Sequence, residues 1–285
     1  MTQIIDGKAL SQKIKEQLKI SVGEFEKKYS RKITLAVVLI GEDPASKIYV
    51  NNKIKACEFV GIKSLEFYLP ETATEQEAIE VVKSLSADET VDGILVQLPL
   101  PKHINVNKVL SYIPFGKDVD GFLPENFGRL AQGQDALVSC TPNGVLRMLK
   151  ENNVDLCGKN AVVLGRSNIV GKPMAMLLLN ENCTVTVCHS KTQNIEEICK
   201  NADVLIAAIG KAEFVKDYMV KDGAVVIDVG INRTEHGLKG DVDFAAVKEK
   251  ASVISPVPGG VGPMTIAMLL ENTYKAALRR ENGGF

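Results

Sequence analysis

Leu10, Ile14, Leu18, Val22 and Phe25 recur at mostly four-residue steps behind Asp6, a residue able to cap a helix start. That spacing predicts one amphipathic helix over residues 7–29. A regular alternation follows. Residues 33–40 form a continuous run rich in β-branched side chains, and Pro44–Val60 carry a helical pattern closed by Gly61. Residues 65–69 read as a short strand and 74–86 as a helix, and 93–98 as an apolar strand ended by the breaker Pro99-Leu100-Pro101. Runs apolar on both faces that alternate with helices predict parallel strands covered on both sides by βαβ crossovers.

Residues 114–143, rich in Gly, Pro, Asp and Asn, break this rhythm and read as loop with a domain boundary near its end. A second α/β series begins beyond it. Residues 161–164, 184–188, 204–208 and 224–229 read as strands, with helices at about 171–181 and 193–201 between the first three. Val253-Ile254 reads as a further short strand. The loop Pro256-Val257-Pro258-Gly259-Gly260-Val261-Gly262-Pro263 precedes a last helix over 264–280.

The chain has 285 residues, a length that favours two domains over one. Apolar residues make up 45% and charged residues 24%, which excludes disordered, collagenous and coiled-coil classes. The 34 basic and 35 acidic residues leave a net charge of −1 with no block of one sign. Neither nucleic acid nor an anionic membrane is therefore an expected partner. Six scattered cysteines without metal-ligand spacing, behind a start that lacks an apolar signal segment, read as reduced thiols in a cytoplasmic protein without a metal. No stretch matches the ~18–20 apolar residues of a membrane span.

Candidate chemistry begins where the strand 161–164 runs into Gly165-Arg166-Ser167-Asn168-Ile169-Val170-Gly171-Lys172-Pro173 and a helix. A strand, a glycine turn and a helix start present backbone N–H groups and a positive helix end to a pyrophosphate. Arg166 and Ser167 stand where a full dinucleotide fingerprint has its second glycine, so this turn alone is equally consistent with an empty strand-to-helix connection. The following strand ends in His189-Ser190-Lys191-Thr192, where an NAD site carries a carboxylate for the ribose hydroxyls. Arg166, Ser190 and Lys191 offer donors to a 2′-phosphate instead, which favours NADP over NAD. Gly210 and Asp228-Val229-Gly230-Ile231-Asn232 lie at or beyond the carboxyl ends of later strands, and the Ile231 backbone is a candidate nicotinamide contact.

A second constellation lies in the first half. Ser46, Tyr49 and Lys53 stand at i, i+3 and i+7, on one face of the helix predicted over Pro44–Val60. An amphipathic edge with a snorkelling lysine has the same spacing. Gln97, a polar residue inside an apolar strand, needs hydrogen-bond partners, and Lys53 is one candidate. Lys117-Asp118-Val119-Asp120-Gly121 then places two carboxylates in a loop, where Asp118 reads as a turn former. His103 and His236 read as solvated loop residues.

These motifs, with Val96-Gln97-Leu98-Pro99-Leu100-Pro101 and Pro258-Gly259-Gly260-Val261-Gly262-Pro263-Met264-Thr265, occur in family order across nearly the whole chain. The chain resembles the bacterial FolD proteins, bifunctional methylenetetrahydrofolate dehydrogenase/methenyltetrahydrofolate cyclohydrolases. The resemblance implies an α/β fold of two domains, an N-terminal α/β catalytic domain and a Rossmann-like NADP-binding domain. It further implies a C-terminal helix that returns to the first domain. The folate-binding catalytic domain is expected over 1–139 plus 265–285 and the NADP-binding domain over 140–264, with a homodimer paired through the latter. By position, the family's catalytic lysine falls on Lys53, its pterin-stacking tyrosine on Tyr49, its lysine-positioning glutamine on Gln97 and its pterin-binding aspartate on Asp120. Ser46, Pro258, Gly259, Gly260 and Val261 are expected beside the substrate, and Gly165, Arg166, Ser167, Ser190 and Ile231 fall on the NADP contacts. No position departs from the family pattern. Two other readings remain open from the residues: an NADP-dependent dehydrogenase of another small substrate on the same plan, and a non-catalytic NADP-binding regulator.

Overall fold

A computed structural model describes residues 2–235 and 237–283. The first half runs β1 (Gln3–Ile4), α1 (Gly7–Tyr29), β2 (Thr34–Ile40), α2 (Pro44–Val60), β3 (Lys63–Leu69), α3 (Glu75–Ala87) and β4 (Gly93–Val96). Three helices follow: α4 (Val106–Leu110), α5 (Pro124–Ala131) and α6 (Cys140–Glu151). The second half runs β5 (Asn160–Leu164), α7 (Gly171–Asn180), β6 (Thr184–Cys188), α8 (Ile195–Lys200), β7 (Val204–Ala207) and β8 (Val225–Asp228). It ends with β9 (Asn232–Thr234), β10 (Gly237–Lys239), α9 (Phe244–Val247), β11 (Val253–Ile254) and α10 (Val261–Glu281).

The chain folds into two compact units. One comprises Gln12–Arg129, Asp135–Val138 and the chain from Ile266 onward. Its sheet has the order β3-β2-β4, all parallel, and every residue of the central strand β2 is buried. That explains why β2 has no polar alternation. α2 starts under a cap in which the Asp43 carboxylate accepts the Ser46 N–H, and Gly61 ends it in the left-handed conformation at φ 91°. Thr74 and Glu77 form a reciprocal capping box at the start of α3. The C-terminal helix is fastened here, because the Asn272 side-chain amide donates to the carbonyls of Val119 at 2.9 Å and Val138 at 2.8 Å.

The other unit comprises the chain up to Ser11, Leu130–Gln134 and Ser139–Thr265. Its sheet is parallel with the order β1-β11-β8-β7-β5-β6, and its apolar core includes Val162, Leu164, Leu205, Val226 and Ile254. Residues 2–11 group with this unit, because β1 pairs with β11 at the sheet edge. Gly7 packs where a Cβ would collide with the Gly260 carbonyl, and the Lys8 N–H donates to the Gly259 carbonyl at 3.1 Å.

Differences from the sequence pattern are local. The stretch 114–143, expected as loop, contains a 3-10 turn at Phe115–Lys117, α5 and the start of α6. β9 and β10 pair antiparallel in a stretch where the sequence pattern predicts no strands. β3 begins two residues earlier than its pattern, and β4 ends at Val96, which leaves Gln97 and Leu98 just past the strand. α10 starts at Val261 rather than 264, and Pro263 is accommodated in its first turn, where no intrahelical N–H donor is required.

Candidate active site

The helix face predicted from spacing is present in α2, but its three residues do different work. Ser46 is buried, and its hydroxyl donates to the Asp43 carboxylate at 2.8 Å, so it is engaged in the helix cap. Tyr49, 41% exposed, presents an open ring. Lys53 is half-buried, and its Nζ donates to Gln97 Oε1 at 2.9 Å. Gln97 reaches it because β4 has just ended, and its own amide donates to the Leu98 carbonyl at 2.6 Å. The glutamine is thus held at both ends, and the lysine amine is held by it.

The two aspartates of the following loop separate sharply. Asp118, 3% exposed, accepts N–H groups from Phe122 at 3.1 Å and Leu123 at 2.9 Å and the Asn126 amide at 2.9 Å. It fastens the loop, as a turn former should. Burial raises its pKa from the usual carboxylate value, and these donors work against that rise. Asp120 is half-buried and has its pKa pushed up to about 6. Desolvation is the main cause; the positive charge of Lys53 lowers the value and the negative charge of neighbouring Asp118 raises it. Tyr49, Lys53, Gln97 and Asp120 all belong to the unit built on β3-β2-β4. Four residues 71 positions apart at most are therefore carried by one small sheet.

In the six-stranded unit the ends of β5, β6 and β7 surround a cleft of about 580 Å³ lined by Gly165, Arg166, Ser167, His189, Ser190 and Lys211 among others. Gly165 turns at φ 116°, and a Cβ there would collide with the Ala208 carbonyl. A Cβ on Gly171 would collide with the Gly165 carbonyl. Both glycines are thus required for the chain to pass from β5 into α7 so closely. The Ser167 hydroxyl accepts the N–H groups of Val170 at 3.2 Å and Gly171 at 3.3 Å and retains its own proton to donate. No carboxylate is among the residues that line this cleft, and Arg166 and Lys211 bring cationic side chains to it. Glycine turn, helix start, hydroxyls and cations suit a dinucleotide bearing an extra phosphate.

Two expected contacts stand apart from that cleft. Lys191 is exposed and does not line it; its N–H donates to His189 Nδ1 at 3.1 Å. Ile231 is 48% exposed, with its Cδ1 near Gly262 in the glycine-rich loop. Pro258, Gly259, Gly260 and Val261 belong to the same unit as this cleft.

Residues 5–120 match the family described as the tetrahydrofolate dehydrogenase/cyclohydrolase catalytic domain, and residues 139–281 match its NAD(P)-binding domain. A curated protein of Campylobacter concisus, named Bifunctional protein FolD, is 59% identical over 276 residues, 96% of this chain and 97% of that protein. The chain belongs to the tetrahydrofolate dehydrogenase/cyclohydrolase family. The crystal structure of the FolD methylenetetrahydrofolate dehydrogenase/cyclohydrolase of Campylobacter jejuni matches with a TM-score of 0.96 at 51% identity, covering 98% of this chain and 100% of that one. The Trypanosoma brucei FolD enzyme, solved with NADP cofactor and inhibitor, matches with a TM-score of 0.92 at 38% identity, covering 98% and 99%.

Membership in the tetrahydrofolate dehydrogenase/cyclohydrolase family disfavours the reading as a dehydrogenase on another substrate, and it directs attention to residues that pattern reading passed over. Lys211, Ile195 and Phe214 line the cleft although no motif marks them, and Thr192 lines it from the end of the motif His189-Ser190-Lys191-Thr192. The rule that ligands bind beyond the carboxyl ends of parallel strands points to the segment after β7, where Gly210 alone had been singled out. His103 is exposed, and its Nε2–H donates to the Ala73 carbonyl at 2.8 Å; His236 lies outside the described residues. Among the described residues, no helix is long and apolar enough to cross a membrane.

Proposed function

We propose that the protein oxidises 5,10-methylenetetrahydrofolate to the 5,10-methenyl cation with NADP and then hydrolyses that cation to 10-formyltetrahydrofolate, using Lys53, Gln97, Tyr49 and Asp120. The bond from Lys53 Nζ to Gln97 Oε1 carries this reading, since it holds a single amine at a defined point beside an open aromatic ring and a carboxylate. Family membership supports both activities. Gly165, Arg166, Ser167 and Ser190 hold the nucleotide, Arg166 and Ser190 at its 2′-phosphate, and Ile231 takes the nicotinamide side through its backbone. When bound, NADP supplies the hydride acceptor.

The first step transfers a hydride from the methylene carbon and leaves a resonance-stabilised cation, so it needs orientation more than a base. Tyr49 offers a ring face to the pterin, and Asp120 accepts its N–H groups. The second step needs proton transfers. Water adds to the cation's carbon and passes a proton to the Lys53 amine; the resulting ammonium returns a proton to the nitrogen that leaves as the ring opens. One proton is released to solvent overall. Gln97 keeps the amine aimed through both transfers. Ser46 acts through the cap of α2.

The reading includes a cytoplasmic homodimer paired through the nucleotide unit. β6 is the last strand of its sheet, and Leu179, 51% exposed, lies at the end of the preceding helix. One spectrophotometric assay tests the chemistry by following NADPH and the methenyl cation together. Lys53→Met should lower cyclohydrolase turnover by about 10²–10⁴-fold, so that the methenyl cation accumulates with NADPH. An unchanged hydrolysis rate would remove the lysine from the mechanism.

A further inference from the structure

Two buried aspartates have no part in the proposed chemistry: Asp228, the last residue of β8, and Asp241, which follows β10. Asp241 is fully buried, and its carboxylate takes four N–H donors. Oδ2 accepts from the backbone of Ile209 at 2.6 Å and Gly210 at 2.9 Å; Oδ1 accepts from the backbone of Lys211 at 2.8 Å and from the Asn232 amide at 2.9 Å. Three consecutive backbone amides on one carboxylate wrap the chain after β7 around it. Such amides have no ladder partner, and buried N–H groups require one.

Asp228 completes the arrangement. Its carboxylate accepts from Gly230 at 3.0 Å and from Asp241 and Val242 at 2.9 Å each, while its own N–H donates to the Ser255 hydroxyl at 2.8 Å. Gly230 and Gly240 make room for the pair, since a Cβ on the first would collide with the Asp241 carboxylate and one on the second with the Asp228 carboxylate. The segment that Asp241 grips forms a wall of the nucleotide cleft through Ile209 and Lys211, and Asn232 follows directly on Ile231. One carboxylate therefore ties together two stretches assigned to the cofactor, without lining the cleft itself.

We propose that Asp241 is a positioning residue for the cofactor, which holds residues 209–211 and, through Asn232, the backbone at Ile231 in the geometry that NADP binding requires. The proposal rests on the NADP reading above. A carboxylate is suited to the task because it is acceptor-only and can serve four donors at once. An asparagine of the same shape would turn an N–H₂ toward N–H donors and leave them unpaired.

The test compares Asp241→Asn and Asn232→Ala with the wild-type chain by calorimetric titration with NADP, KM for NADP, and hydrogen exchange over residues 205–214. Cyclohydrolase turnover of the methenyl substrate, which consumes no nucleotide, is measured alongside. Asp241→Asn should weaken NADP binding roughly tenfold or more, raise KM in parallel and speed exchange in that segment, with cyclohydrolase turnover within about twofold of wild type. Asn232→Ala, which removes one link and keeps the carboxylate, should weaken binding by about threefold. NADP affinity within about twofold of wild type in both variants overturns the proposal. So does a loss of cyclohydrolase in Asp241→Asn that matches its loss of NADP binding while Asn232→Ala binds normally, for the carboxylate is then general scaffolding. A wild-type chain that binds no NADP defeats the cofactor reading itself, and the proposal falls with it.

Discussion

Asp118 and Asp120 are two residues apart in the same loop, yet one is buried scaffold and the other only half-buried. The difference is the donor set: Asp118 is surrounded by the amides of Phe122, Leu123 and Asn126, while Asp120 is desolvated with Lys53 as its compensating charge. A pKa pushed to about 6 lies above the ~3.9 of an unfolded aspartate, so between those values the native state binds the extra proton. The stability linked to that proton is fully present below about pH 4 and is lost as pH rises through 6. Asp120→Asn should therefore melt about 3–6 °C above wild type at pH 7.5 and close to wild type at pH 4, while it binds folate more weakly. Calorimetry at both pH values checks this, and an identical melting difference at each would place Asp120 in ordinary solvent. The sequence shows the pairing of Tyr49 with Lys53 because three- and four-residue steps share a helix face. It cannot separate Asp118 from Asp120, since donors contributed by residues 122–126 depend on how the loop closes.

At the scale of elements, β2, β5, β7 and β8 were legible because each is a short apolar run covered on both faces. α5 was not. It has only eight residues, starts with proline, contains Gly128 and buries Asn126, whose amide donates to the Phe115 carbonyl and to Asp118. Long-range contacts therefore override weak local propensity there. β1 is equally silent, because two exposed residues carry no pattern and only the backbone of β11 makes them a strand. The turn from β5 into α7 allows an element-level test. Gly165 and Gly158 both have positive φ, but a Cβ meets the Ala208 carbonyl at the first and open space at the second. Gly158→Ala should cost about 1 kcal/mol from backbone strain alone and keep KM for NADP. Gly165→Ala should cost more and raise KM for NADP roughly tenfold, since it displaces the turn that meets the phosphates. Thermal melts and initial rates decide; equal behaviour of the two variants would refute the steric account.

On the scale of the whole molecule, the chain passes between its two units more than once, and the C-terminal helix is where this matters for stability. Asp92 is buried and accepts two N–H groups of Arg31 at 2.9 Å and one of Arg280 at 3.3 Å, which anchors the end of α10 beside the first sheet. Asn272 anchors its middle through the carbonyls of Val119 and Val138. Asn272→Ala leaves the buried Val119 carbonyl and the half-buried Val138 carbonyl without that donor, at a cost of about 1–3 kcal/mol. Because Val119 precedes Asp120, the variant should also raise KM for the folate substrate with NADP affinity unchanged. A stability loss with both constants at wild-type values would make Asn272 a purely structural tie.

The alternation of the longer strands and helices, the glycine turn after β5, the missing carboxylate after β6 and the helical register of Tyr49 with Lys53 are readable along the chain, because each is set by neighbours a few residues apart. Partners distant in sequence were decided elsewhere. Residues 2–11 join the six-stranded unit through a backbone pairing with β11, Gln97 turns its carbonyl to Lys53 once β4 has ended, and Asp241 collects amides some 30 positions away. Buried polar groups must find partners wherever the fold brings them, and that demand carries no local pattern to read.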